Sequence, residues 1–201
     1  MKIVAVILIF GLLILSCGTK TQNKTTQNEF ENEAELKKNE EVSFDKTLIF
    51  QASLEGNIQI VQNAVNMGFD PNTVDENKRT ALMLSAYNGH TDIVQFLIDQ
   101  GTNVNLTDEM DRTALMYAST GPFLNTVVAL LKAGAKPNMT DNEENWTAAM
   151  MAAAEGQLDV LKTLVSYGAD LKMVDVDGES SLDFANSKGH SAVVEYIKTN
   201  L

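Results

Sequence analysis

The sequence predicts an all-α solenoid, and three ladders of residues running in phase predict it. Thr47, Thr80, Thr113, Thr147 and Ser180 stand 33, 33, 34 and 33 residues apart. Gly68, Gly101, Gly134 and Gly168 follow at 33, 33 and 34, and Gly56, Gly89, Gly156 and Gly189 form a third ladder whose missing rung is Pro122. Self-similarity at this period marks a stack of about five supersecondary units, none able to bury its apolar face alone. The units run over about 46–78, 79–111, 112–145, 146–178 and 179–201.

The second unit shows how each element arises. Thr80 is an N-cap, its hydroxyl placed to accept an orphan amide of the first turn. Leu82, Ser85 and Ala86 give a short helix with a narrow apolar stripe, and Gly89 ends it through the left-handed conformation that glycine enters without steric cost. Ile93, Val94, Leu97 and Ile98 then recur at helical spacing, so a second helix buries one face before Gly101 closes it. The stretch from Gly101 to Thr113 is polar and too short for a third helix. Each period is therefore two antiparallel helices and a projecting loop.

These residues resemble the ankyrin repeat. The family's opening Thr-Pro-Leu-His corresponds to Thr80-Ala81-Leu82-Met83, Thr113-Ala114-Leu115-Met116 and Thr147-Ala148-Ala149-Met150. Its Gly-His junction corresponds to Gly89-His90 and Gly189-His190. Its Gly-Ala-Asp-Val-Asn segment corresponds to Gly68–Asn72, Gly101–Asn105 and Gly134–Asn138, with a drifting copy at Gly168–Lys172. The resemblance implies helix-turn-helix repeats with projecting loops or β-hairpin tips.

Several positions depart from that pattern. Thr120-Gly121-Pro122-Phe123 stands where Gly-His is expected, so the first helix of the third unit should end early. One residue is inserted within 141–145, and the turn glycine kept at Gly178 is replaced by Lys78, Asp111 and Asn145. Asp and Asn tolerate positive φ, which leaves Lys78 as the awkward substitution. The terminal units are more polar, at Gln51, Gln59, Gln62, Asn63 and Asn66 in the first and Asp183, Asn186, Lys188, Glu195 and Lys198 in the last. That pattern reads as capping of a complete array.

Residues 1–17 read as an address rather than a fold. Lys2 precedes thirteen residues without a polar side chain, Ile3 to Leu15, too few to span a bilayer but suited to a secretory signal. Ile14-Leu15-Ser16-Cys17 resembles the lipobox of bacterial lipoproteins, which implies lipid attachment at Cys17, the single cysteine of the chain. The alternative is a short uncleaved anchor, or an ordinary signal with a chance cysteine. Residues 18–45, rich in Thr, Gln, Asn, Lys and Glu, read as a disordered tether with a mean reach of roughly 30 Å. On this reading the protein is lipid-anchored in a bacterial cell envelope, facing the periplasm.

The chain carries a net charge of −12. That acidity removes the electrostatic basis for binding nucleic acid or anionic lipid, and it favours a basic protein partner; solubility alone would also account for it. The array reads as a monomer without a cofactor, touching a membrane only through the anchor.

Catalytic and metal-binding patterns are sparse. His90 and His190 share one repeat offset and read as structural groups at the helix junction. Asp175-Val176-Asp177-Gly178-Glu179 lacks the spacing of a calcium loop. Met83, Met116, Met150 and Met151 share a repeat phase and read as core filling, not metal ligands. No catalytic or metal residue is assigned. The ankyrin resemblance instead implies that tips and first helices form a concave protein-binding face, here Arg79, Tyr87, Asn88, Met110, Arg112, Glu143, Glu144, Trp146, Glu155 and Glu179. Trp146, the lone tryptophan, is expected to be an exposed anchor beside Arg79, Tyr87, Met110 and Arg112; the alternative has it packed under the inserted loop residue. The function expected is non-catalytic binding of one protein. A narrower reading is an inhibitor, immunity or protector protein for an envelope enzyme or toxin.

Overall fold

In a computed structural model the described residues are 45–201. The lipobox reading at Cys17, the apolar stretch before it and nearly all of the proposed tether lie outside them. Ten helices alternate along the described chain: α1 Lys46–Glu55, α2 Ile58–Asn66, α3 Ala81–Tyr87, α4 Thr91–Asp99, α5 Ala114–Ser119, α6 Leu124–Lys132, α7 Ala148–Ala154, α8 Leu158–Ser166, α9 Ser181–Ser187 and α10 Ser191–Asn200. Odd-numbered helices pack on one another in sequence, even-numbered ones do likewise, and each pair packs internally. This is the predicted all-α repeat array.

The first helices form the interior. Every residue of α7, Ala148-Ala149-Met150-Met151-Ala152-Ala153-Ala154, is buried, because the helix has neighbours on both sides and its own partner behind it. Small side chains let those backbones approach, while the second helices contribute the branched filling: Ile93, Val94, Leu97, Val127, Leu130, Val160, Leu161 and Leu164 are all within 2% of full burial.

Threonine caps the inner first helices as expected, and the methionines do more than fill space. Thr80 Oγ1 accepts from Met83 N at 3.2 Å while Thr80 N donates to Met83 Sδ at 3.4 Å. The same reciprocal pair joins Thr113 to Met116 and Thr147 to Met150. The thioether is a weak acceptor, but it is the partner these buried amides have. In the last unit a carboxylate takes the role, Asp183 Oδ2 accepting from both Ser180 N and Ser180 Oγ. Those bonds, the hydroxyl's first, hold the Asp183 carboxyl below its ordinary value. Thr47 is the exception among the threonines. The first helix starts earlier, with Asp45 accepting from Leu48 N, so Asp45 belongs to the fold and Thr47 is an exposed helical residue.

The junction histidines are structural. His90 Nε2 donates to Leu54 O at 2.9 Å and His190 Nε2 to Ala154 O at 3.0 Å, each reaching into the preceding unit. The ring lies against a glycine: a Cβ at Gly56, where φ is 83°, would sit 2.6 Å from His90. In the third unit Phe123 occupies the histidine offset and packs on Gly89 in the same manner. As the sequence suggested, α5 ends a residue early there.

Asparagine side chains stitch the first four units together where their second helices run out. Asn72 Oδ1 accepts from Asn103 N, Asn105 Oδ1 from Lys136 N, and Asn138 Oδ1 from Asp170 N, each at 2.9 Å. The loop tips are held by single antiparallel bridges, Val74 to Thr80, Thr107 to Thr113 and Val174 to Ser180, and not by full β-hairpin strands.

All three glycine replacements adopt left-handed conformations, Lys78 included at φ 59°. That conformation costs a β-carbon residue about 1 kcal/mol, and the Lys78 side chain is exposed. Lys78→Gly should therefore raise stability by up to about 1 kcal/mol in denaturant unfolding. Met116→Leu conserves volume but strips the acceptor from a buried amide, so it should cost about 1–2 kcal/mol, where a purely apolar role for Met116 would leave stability nearly unchanged.

Candidate functional site

The face formed by tips and first helices is built around one recurring group. In each tip an aspartate turns inward and gathers backbone amides. Asp75 Oδ1 accepts from Asn77 N and Arg79 N at 2.9 and 2.8 Å, and Asp108 Oδ1 from Met110 N and Arg112 N at 2.9 Å each. Asp175 Oδ1 takes Asp177 N and Glu179 N. In the third tip the inserted residue lengthens the reach, and Asp141 Oδ1 accepts from Glu144 N and Trp146 N. Asp108, Asp141 and Asp175 are 4%, 6% and 8% exposed, so these carboxylates are buried, each with one oxygen holding two backbone amides. Consecutive tips are joined as well: Glu109 N donates to Asn77 O, Asn142 N to Met110 O and Val176 N to Glu144 O.

The second carboxylate oxygen distinguishes one tip from another. At Asp75 it is held by Arg79 itself, through Nε and Nη2 at 2.8 Å. At Asp108 it is held instead by the Tyr117 hydroxyl at 2.6 Å. Arg112 is thereby released from its own tip. It passes Met110 Sδ and reaches Glu143 Oε2 of the next tip at 3.2 Å. Its buried Nε has no partner among the described residues. Tyr87, 49% exposed, meets Tyr117 edge to face at 5.9 Å between ring centres.

Of the residues expected on this face, the structure draws Arg79, Tyr87, Met110, Arg112 and Glu143 into one neighbourhood around Asp108 and Tyr117. Glu144, Glu155 and Glu179 are exposed further along. Asn88 is exposed but occupied, its Nδ2 donating to Leu54 O at 2.7 Å beside His90. Trp146 differs from expectation. It is half-buried, and its ring lies on Phe184 of the following unit, 4.3 Å between centres at 51°, with Met150 and Ala154 in the same cluster. An exposed anchor does not describe it.

Two kinds of residue were missed in the sequence. The aspartates recur at 33, 33 and 34, a fourth ladder in phase with the other three that marks them as a shared tip group. Tyr117 sits at an offset filled by Leu84, Met151 and Phe184 in other units, and no periodicity could mark its hydroxyl. Among the described residues, no group of His, Cys, Asp and Glu is placed to hold a metal ion, and no helix is long and apolar enough to cross a membrane.

A sequence profile described as ankyrin repeats (3 copies) matches residues 49–141 and 119–200. The chain belongs to the ankyrin-repeat family. It is similar to the Notch-regulated ankyrin repeat-containing protein of Homo sapiens, 38% identical over 56 residues, which are 28% of this chain and 49% of that one. The B form from Danio rerio is likewise 38% identical over 56 residues, covering 28% of this chain and 50% of its own. An L-asparaginase from Dirofilaria immitis is 42% identical over 48 residues, 24% of this chain and 8% of the enzyme. The ankyrin chain thus spans about half the length of the Notch-regulated relatives it matches.

Burial pushes the Tyr117 phenol well above the ordinary tyrosine range; the hydrogen bond to Asp108 and its charge add to the effect, with Arg112 and Arg79 opposing. A raised folded-state value means that the stabilisation is fully present below the unfolded phenol's pKa, about 10, and is lost as pH rises beyond it. Stability should therefore fall more steeply above pH ~10 in wild type than in Tyr117→Phe, as read by denaturant unfolding across that range.

Proposed function

We propose that this ankyrin chain is a non-catalytic module that holds one protein partner on the concave face expected of its family, formed by tips and first helices. Arg112 carries the reading. A guanidinium that spans two tips, stays 28% exposed and stands near an exposed tyrosine has the features of an interface anchor, because arginine and tyrosine are the residue types that dominate interface energies. The tips are already ordered by their aspartates, so little conformational freedom remains to be lost on docking. The pair with Glu143 is exposed and contributes less than about 1 kcal/mol, so a partner's acceptor can replace it at small cost.

The lipobox-like Ile14-Leu15-Ser16-Cys17 supports a lipid anchor at Cys17, with the array held off a bacterial membrane in the periplasmic part of the envelope. The net charge of −12 supports a basic partner and a monomeric module. The same acidity is what a second reading rests on: an inhibitor, immunity or protector protein directed at one basic envelope enzyme or toxin.

The test is crosslinked co-purification of the full chain from its own cell envelope, wild type beside Tyr87→Ala/Arg112→Ala, with circular dichroism showing both folded. A single stoichiometric partner lost in the variant is expected. A partner retained at full occupancy by the variant would remove the face from the proposal.

A further inference from the structure

We infer that the C-terminal half of this face seats a basic, partly apolar segment of the protein partner, on a floor made by Trp146. The inference rests on the binding-module reading and adds the chemistry of what is bound. Trp146 and Met173 lie over a small apolar cluster of Met150, Ala154 and Phe184, separate from the main core. Trp146 is only half-buried there, and Val174 and Val176 on the adjoining tip are 51% and 55% exposed. An indole braced at 51° against an aromatic neighbour and open on part of its surface is the best side-chain platform for a cation, and exposed valines add apolar area for an aliphatic stem.

Charge selects the occupant. Residues 141–155 and 174–188, the tips and first helices of this half, carry eight carboxylates against one cation, Lys188. Some are already used. Asp141 and Asp175 hold their turns, Asp183 binds Ser180 and Glu143 binds Arg112. Glu144, Glu155, Asp177 and Glu179 remain exposed, and among the described residues none of the four meets a cation. The equivalent stretches of the second and third units, 75–88 and 108–121, are close to balanced, with five acidic residues and three basic ones. The four free carboxylates are spread over two units and do not converge on a point, and no metal-holding group is present among the described residues. A single ion would not satisfy them. Several lysines or arginines along one segment, interleaved with apolar side chains, would.

The chain has one tryptophan, so the emission of Trp146 reads this floor directly. The probe is a synthetic peptide alternating Lys and Leu, titrated into the full-length protein beside a counterpart alternating Glu and Leu. Expected is a saturable change in Trp146 emission with the Lys peptide only, weakened about tenfold or more in Glu144→Gln/Glu155→Gln/Asp177→Asn/Glu179→Gln. A second variant removes the same charge from the second helices, as Asp92→Asn/Asp99→Asn/Asp159→Asn/Glu195→Gln, and should change affinity by less than about twofold. Equal weakening in both variants would mean adsorption by net charge and would overturn the inference, as would binding that leaves Trp146 emission unchanged or equal binding of the Glu peptide. If these peptide results are negative while the co-purified partner is still lost in Tyr87→Ala/Arg112→Ala, the module stands and its partner uses the other half of the face. If the peptide results are negative and the partner is retained by Tyr87→Ala/Arg112→Ala, this face fails with the inference.

Discussion

An inward-turned carboxylate at the base of each tip, buried in three of the four, is the constraint on which the rest of this face depends. Asp75, Asp108, Asp141 and Asp175 each accept two backbone amides, and the farther amide belongs to the residue that enters the next first helix: Arg79, Arg112, Trp146 or Glu179. The tip conformation and the position of its functional side chain are therefore one event. Burying a carboxylate costs free energy unless its oxygens are satisfied, and here the amides that satisfy it are those the turn would otherwise leave orphaned. Variation can then fall on the second oxygen. Arg79 takes it in one tip and Tyr117 in the next, and that exchange frees Arg112 to cross to Glu143.

Stability is collective. The helices are 6 to 10 residues long, shorter than the roughly 12–15 that an isolated helix needs to be even marginal in water. With one cysteine in the chain no internal disulfide is available to compensate. Reciprocal Thr–Met caps, histidine bonds into the preceding unit and asparagine stitches each join a helix end to something it would otherwise leave to solvent. Several of them cross between units, so the helix ends are completed only when neighbours are present.

The array was legible because repetition multiplies weak signals: a threonine or glycine says little alone, but five copies in register fix the helices and the stacking direction. Lys78 shows the limit of residue-by-residue propensity. Its positive φ is imposed by the turn that Asp75 closes, which outweighs the steric penalty of a β-carbon. Trp146 shows a different limit. Its offset placed it correctly at the tip, but whether the ring faced solvent depended on the residue in the next unit, and Phe184 is large and apolar enough to draw it down. Tyr117 was invisible for the same reason: its role is defined by Asp108 and by what Arg112 no longer does. Positions that repeat are readable one at a time, whereas positions that differ between units take their meaning from their neighbours.

The asparagine stitches have a mechanical consequence. They join the first four units in series, and units that are not adjacent share few bonds that could carry load in parallel. Tension applied along such an assembly is borne in full by every joint, so the weakest yields first while the others keep their shape. Extension should then proceed as a staircase of short steps, each releasing one unit's worth of chain, in place of a single rupture. A molecule clamped across two units would bridge the joint between them and move the first step elsewhere.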